Sequence, residues 1–206
     1  MSRRPGETSY RDTAFGIIPR SKLIPLEIEG IKRAWDFVLE MHAAGRISIT
    51  LDSLREIHRV GFGWIFPDLG GRFRTVDVEV SDHKPPKFFI VPQLMLDFCR
   101  DIEERLRHLP SIENPDFLGA LITLLAWAHH RFLWIHPFQD YNGRMARLLI
   151  NIILLNLDLP PVELKVETKS GRHRYIQALQ AGDNGDYRLL ERIIKRAIAE
   201  SVAGLR

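Results

Sequence analysis

The sequence predicts an all-α domain, a helical bundle that carries one small β-hairpin as a flap. Three observations lead there. Apolar residues return every three or four positions through most of the chain. Pro or Gly stands at most of the joints between those runs. Only Thr75-Val-Asp-Val-Glu-Val alternates apolar and acidic residues, the two-residue period of a half-buried strand.

The elements follow in order. Residues 1–24 scatter Gly, Pro, Arg and Thr and read as an extended or poorly ordered arm, with a single domain over 25–206. A first helix is expected to start near Pro25, with Ile28, Ile31, Trp35, Val38 and Leu39 at helical spacing and Gly45 closing it. Thr50 offers a capping hydroxyl to a second helix, on which Leu51, Leu54, Ile57 and His58 share one side. Gly61 to Gly71 reads as irregular loop. After Thr75–Val80, Ser81-Asp-His-Lys-Pro-Pro punctuates the chain and Lys87-Phe-Phe-Ile-Val returns as a second strand, which places the flap at about 73–91. Helices follow at about 92–108, 115–134, 143–157, 171–182 and 187–203.

Composition narrows the partners. The 206 residues suffice for one buried core, and 45% hydrophobic with 27% charged residues argues against disorder. A net charge of +3, with basic residues interleaved among acids, speaks against a nucleic-acid partner, which needs concentrated positive charge. Cys99 stands alone, so neither an internal disulfide nor a cysteine-rich zinc site can form. His129, His130 and His136 lack the spacing of a zinc site. The N-terminus has no apolar stretch behind it, and no signal peptide is expected. The most apolar run, Phe117 to Trp134, contains His129, His130 and Arg131, which suits a buried core helix better than a membrane span. A cytoplasmic protein is the expectation.

His136-Pro-Phe-Gln-Asp-Tyr-Asn-Gly-Arg-Met-Ala-Arg147 is the unusual segment. It joins two apolar helices and gathers an imidazole, a carboxylate and two guanidiniums. Asn142 and Gly143 suit a helix N-terminus, whose free N–H groups favour an anion. Arg144 and Arg147 share a face near that start, where cations oppose the helix dipole. A polyphosphate between them would explain the placement, because guanidinium forks pair with phosphate oxygens. Asp140 could hold Mg²⁺ that bridges phosphates. His136 suits a general base, and Phe138 is expected to pin the loop into the core. The constellation is one for phosphoryl or nucleotidyl transfer.

This segment resembles the signature of the Fic family, His-Pro-Phe-x-Asp/Glu-Gly-Asn-Gly-Arg-x-x-Arg, at every position except Tyr141, where the first glycine belongs. Arg72-Phe-Arg with Pro85-Pro86 resembles the family's flap region, and Arg174-Tyr-Ile-Gln-Ala-Leu with Asn184-Gly-Asp-Tyr its downstream helix and turn. The likeness spans roughly residues 25 to 195. It implies a protein adenylyltransferase that moves AMP from ATP to a Ser, Thr or Tyr hydroxyl. His136 would be the base and Asp140 the Mg²⁺ ligand. Asn142, Gly143 and Arg144 would form the phosphate cradle, and Arg147 would clamp the terminal phosphate. The target protein would lie along the flap by strand addition. A homodimer is plausible from the resemblance alone.

The departures leave alternatives open. Tyr141 takes a position where glycine allows φ > 0; its ring either faces outward or stacks on the nucleotide, or the cradle is deformed and the module only binds nucleotide. Another nucleotidyl or phosphoryl transfer by the same site also stays open. Tyr175 could contact the nucleotide or, like Tyr187, pack. Many family members carry an inhibitory Ser/Thr-x-x-x-Glu-Gly/Asn helix. Pro25-Leu-Glu-Ile-Glu29-Gly30 resembles it, so Glu29 is expected either to pair with Arg147 or to remain a solvated first-turn acid.

Overall fold

The computed structural model of the chain describes residues 10–80, 83–165 and 169–204. Its helices are α1 (Arg20–Ala43), α2 (Leu51–Phe62), α3 (Val91–Arg107), α4 (Phe117–Ile135), α5 (Asn142–Leu155), α6 (Lys169–Asp183) and α7 (Arg188–Ala203). The only paired strands among the described residues are β1 (Tyr10–Thr13) and β2 (Gly16–Pro19). The all-α expectation therefore holds, and the helices from α2 onward lie close to their expected places.

Packing explains the order. α4 is the central element: α3, α5, α6 and α7 all pack on it, and Leu125, Ala126, Ala128, His129 and Phe132 are fully enclosed. It is long and apolar enough to cross a bilayer, but here it is the bundle's inner helix. α2 starts on a capping box: Ser53 N–H donates to Thr50 Oγ1 (3.1 Å) and Thr50 N–H donates to Ser53 Oγ (2.9 Å).

Two expectations need correction. The first helix begins at Arg20, not near Pro25, which lies inside it. Its inner face is Leu23, Glu27, Gly30, Ala34 and Val38, while Ile28 and Leu39 are exposed. Small residues decide this. A Cβ on Gly30 would sit 2.3 Å from the carbonyl oxygen of Gly61, and one on Gly61 would sit 3.0 Å from Ala34 Cβ. α1 and α2 thus cross backbone against backbone, and that close approach fixes which side of α1 turns inward.

The second correction concerns the hairpin. The stretch from Thr75 to Val91 forms no ladder: it holds one isolated bridge, Val80 to His83, and a 3-10 turn over Phe88–Ile90. Ser81 and Asp82 lie outside the described residues. Side chains take the places of cross-strand partners. Arg74 Nη1 donates to Val76 O (3.0 Å) and its Nη2 to Pro86 O, while the Asp77 carboxylate accepts Phe88 N–H (3.0 Å) and Lys87 Nζ (2.6 Å). Pro85 and Pro86 have no N–H to offer a ladder. The paired strands belong instead to the N-terminal segment expected to be an arm. There Gly16 takes φ +82°, which Ala14-Phe15 need to turn the chain.

Candidate active site

The His136–Arg147 segment closes α4 and opens α5. α4 ends because His136 adopts the left-handed conformation (φ 51°), and α5 begins after Tyr141 does the same (φ 64°). Each such residue costs about 1–3 kcal/mol unless its surroundings over-determine it. Here they do.

At the His136 end, every terminal carbonyl of α4 has a donor. Phe132 O accepts His136 N–H (3.0 Å), Leu133 O accepts the His136 ring (3.4 Å) and Trp134 O accepts His83 Nε2–H (3.0 Å). Arg74 takes the rest: Nη2 reaches Ile135 O (3.4 Å), Nε reaches His136 O (2.8 Å) and its backbone N–H reaches Pro137 O (2.9 Å). The flap therefore acts as a C-cap, and Arg74, 3% exposed, is its centre.

At the Tyr141 end the compensation is aromatic. The ring of Tyr141 is buried and stacks on Phe62 (4.0 Å between centroids, 8° between planes). Its hydroxyl donates to Glu27 Oε1 (3.0 Å). Tyr141 thus turns into the core, whereas the sequence predicts that it faces outward or stacks on the nucleotide. Position 141 does require φ > 0, and a tyrosine meets that requirement because stacking offsets the strain. Phe138 is fully buried as expected, stacked on His58 at 3.9 Å.

Asn142 also has a different task. Its Oδ1 accepts Phe138 N–H (2.9 Å) and its Nδ2 donates to Phe138 O (2.8 Å), so the side chain clamps the loop. What Asn142 and Gly143 present at the start of α5 is main-chain N–H.

His136 is half-buried. Its Nδ1 faces the Leu133 carbonyl, so Nδ1 carries the hydrogen and Nε2 keeps its lone pair. Burial, with the positive charge of Arg74 opposing protonation, lowers its pKa to about 4; the Leu133 bond and Asp140 act the other way. The ring is neutral at physiological pH, as a base must be.

The charged residues are paired in an informative way. Asp140 Oδ2 holds Arg11 of β1 at 2.9 Å, with Arg11 also over the Phe66 ring. Glu27 of α1, 3% exposed, accepts Arg144 Nη2 (2.8 Å), Arg20 Nη1 (2.8 Å) and the Tyr141 hydroxyl. Arg144 Nη1 is buried with no partner among the described residues. Arg147 forms no ion pair with an acid among the described residues. Glu29 faces outward, paired with Arg33 at 3.0 Å on the next turn. The expected Glu29–Arg147 pair is therefore absent among the described residues. Glu29 lies two residues from Glu27 on a helix, about 200° around the axis, so only one of them can face the motif.

Sequence reasoning missed Glu27, Arg11 and the part played by His58. The stripe Leu23, Glu27, Gly30, Ala34, with its two small residues, carried the signal for Glu27. His58 is 1% exposed; its Nδ1 accepts Gly71 N–H (3.0 Å) and its Nε2–H donates to Asp140 O (3.3 Å). His129 is equally enclosed, with Nδ1–H on Ala146 O (3.2 Å) and Nε2 accepting the Tyr175 hydroxyl (2.7 Å). Tyr175 is partly buried and packs against the core.

Burial lowers the pKa of His58 to about 4 and that of His129 to about 3. Both imidazoles titrate near 6.5 when unfolded. Their stabilising effect is complete above that pH and is lost as pH falls from about 6.5 toward 4, because the unfolded chain then binds protons the folded one refuses. Urea denaturation should show a loss of a few kcal/mol between pH 7 and pH 5. Equal stability at both values would contradict this.

Comparison with known proteins places this geometry. The Fic/DOC family profile matches residues 48–154, just over half of the chain, and so contains the whole motif with its flap. The chain belongs to the Fic/DOC family. It is 32% identical over 194 residues to the protein adenylyltransferase Fic of Nematostella vectensis, covering 93% of this chain and 42% of that protein. It is 36% identical over 168 residues to the protein of the same description from Culex quinquefasciatus, covering 82% and 31%. The chain spans less than half the length of these curated relatives. Among solved structures, Fic-1 of C. elegans aligns over 87% of this chain and 51% of its own, with TM-score 0.65 and 28% identity. The N-terminal Fic domain of the Bartonella effector Bep8 covers 98% and 97% with TM-score 0.74 at 14% identity, a likeness of fold alone. The one departure from the motif, Tyr141, takes the positive φ that a glycine would adopt without strain, and its ring fills the space against Phe62.

Proposed function

We propose that this Fic domain is a protein adenylyltransferase that moves AMP from ATP to a Ser, Thr or Tyr hydroxyl. The observation that carries this is His136: a neutral imidazole with a free Nε2, in the loop that leads into the first turn of α5 and the donors of Arg144. His136 takes the hydroxyl proton as the oxygen attacks the α-phosphorus. The new O–P bond forms as the bond from the α-phosphorus to the β-phosphate oxygen breaks, and pyrophosphate leaves. The unpartnered Nη1 of Arg144 and the N–H groups of Asn142 and Gly143 suit the phosphate oxygens, and Arg147 suits the terminal phosphate.

A magnesium ion fits the donor set. No cluster of three acidic, histidine or cysteine ligands exists among the described residues, but Mg²⁺ on a nucleotide needs only one or two carboxylates plus phosphate oxygens. Asp140 is half-exposed and already holds a cation, the Arg11 guanidinium. Bound there, Mg²⁺ would neutralise charge on the phosphates.

The relatives described as protein adenylyltransferases, and the BepC structure with bound AMPPNP, support ATP as the nucleotide. A polypeptide target suits the flap, because the main chain of residues 77–79 has no cross-strand partner among the described residues. Labelled ATP tests the reading: label at the α-phosphate should pass to protein, whereas label passing from the γ-phosphate would mean phosphoryl transfer instead.

The charged groups of the site are already paired with residues of this chain, which supports reading it as closed. Glu27 sits where an anion would meet Arg144, and Arg11 sits where a cation would meet Asp140. Glu27→Gln keeps the shape and removes the charge. Since hydrogen bonds to charged groups contribute about 1.5–3 kcal/mol, labelling should rise at least about tenfold. Glu29→Gln should leave labelling unchanged. A rise in Glu29→Gln without one in Glu27→Gln would reject Glu27 as the brake.

A further inference from the structure

The geometry points to Tyr175 and His129 as positioning residues that aim Arg147 at the polyphosphate. This rests on the reading of Arg147 as the terminal-phosphate clamp. Three elements meet here. His129 lies inside α4, fully enclosed, and Tyr175 inside α6, while Ala146 and Arg147 are neighbours on α5.

The hydrogen bonds have one consistent direction. His129 Nδ1 faces the Ala146 carbonyl, so that nitrogen carries the hydrogen and Nε2 must accept. The partner of Nε2 is the Tyr175 hydroxyl at 2.7 Å, which therefore donates its only hydrogen to His129. The oxygen of Tyr175 is left with lone pairs alone, and the Arg147 guanidinium lies close enough to work against the rise in pKa that burial causes there. The opposite side of Arg147 is bounded by the start of α5, where Nη1 lies 3.7 Å from the place a Gly143 Cβ would occupy. The guanidinium thus lies against the first turn of α5.

The chemistry of this holder matters. Arg144 is held by a carboxylate, which must be released before a phosphate can be bound. Arg147 faces a neutral phenol oxygen, which can accept one of its N–H groups and leaves its full charge for an anion. His129 cannot reverse the relay near neutral pH. Burial lowers its pKa to about 3, and the adjacent positive Arg147 opposes its protonation further. A flexible arginine with about 2 kcal/mol of rotamer entropy is thereby pre-organised before ligand arrives.

The test is equilibrium binding of ATP and of AMP, each with Mg²⁺, in a His136→Ala background where nothing turns over. Tyr175→Phe deletes the oxygen and keeps the ring. It should weaken ATP about tenfold and AMP less than about twofold, and add less than about twofold on top of Arg147→Ala. Equal weakening of ATP and AMP by Tyr175→Phe would place Tyr175 on the base and overturn the proposal, as would no weakening at all. If Arg147→Ala itself fails to separate ATP from AMP, the clamp reading has failed instead. Should Tyr175→Phe not fold, His129→Asn reads the same relay. It keeps an amide near Nδ1 and removes the acceptor at Nε2, and it should show the same selective loss of ATP. A His129→Asn protein that binds ATP and AMP as before would overturn the proposal too.

Discussion

With His136 replaced by alanine, transfer of label from α-labelled ATP to protein should fall by roughly 100- to 10,000-fold, the usual contribution of a positioned general base. The fold should survive, because the carbonyls around His136 are held by its main chain, Arg74 and His83, and only the long 3.4 Å contact to Leu133 O involves the imidazole. ATP should still bind, since the groups suited to phosphate lie on α5. A variant that labels as well as the unmodified chain would remove His136 from the mechanism. The pH profile gives a second check. The ring protonates near pH 4 in the free protein, and only its neutral form can take a proton. kcat/KM should therefore show no fall between pH 8 and 5.5 that is due to this group, and the acid limb should lie near 4. A limb centred at 6.5 would mean that the imidazole is solvated like a free histidine.

Tyr141→Gly restores the residue that the family signature carries, and it should nonetheless destabilise the protein. Removing a large buried aromatic side chain costs about 3–5 kcal/mol, and relief of the left-handed conformation returns about 1–2 kcal/mol. The balance is a loss of about 1–4 kcal/mol by urea denaturation. The Phe62 face would lose its stacking partner and Glu27 one of its three donors. A glycine variant at least as stable as the parent would show that strain at position 141 outweighs packing. Activity should move the other way, because Glu27 would be held on Arg144 by one contact fewer. The tyrosine therefore ties core stability to the closed state of the site.

Much of this was legible in the sequence. The helices from α2 onward follow from apolar spacing, and the motif announced a loop ahead of an anion-binding helix start. Phe138 was readable as a core pin because an aromatic among polar neighbours has nowhere else to go. The losses have physical causes. Alternation from Thr75 looked like a strand, but Arg74 and Asp77 satisfy the main chain with side-chain groups that no period reveals. Asn142 looked like a ligand-binding residue, because spacing shows that an amide is present but not which backbone groups it bonds. The face of α1 went wrong because large apolar residues were given more weight than Gly30 and Ala34, whose lack of bulk permits the close crossing.

That crossing sets how the site can open. With main chain touching main chain at Gly30 and Gly61, α1 has no slack to slide or roll along α2. Pro25 lacks the N–H that would bond the carbonyl of Ser21, so the turn bearing Arg20 is the weakest part of the rod. Release of Glu27 from Arg144 should therefore be a local event, with fraying of the leading turn and a change of the Glu27 rotamer while the rest of α1 stays in place. Motions of this size run on nanosecond to microsecond scales, far faster than the departure of a whole helix.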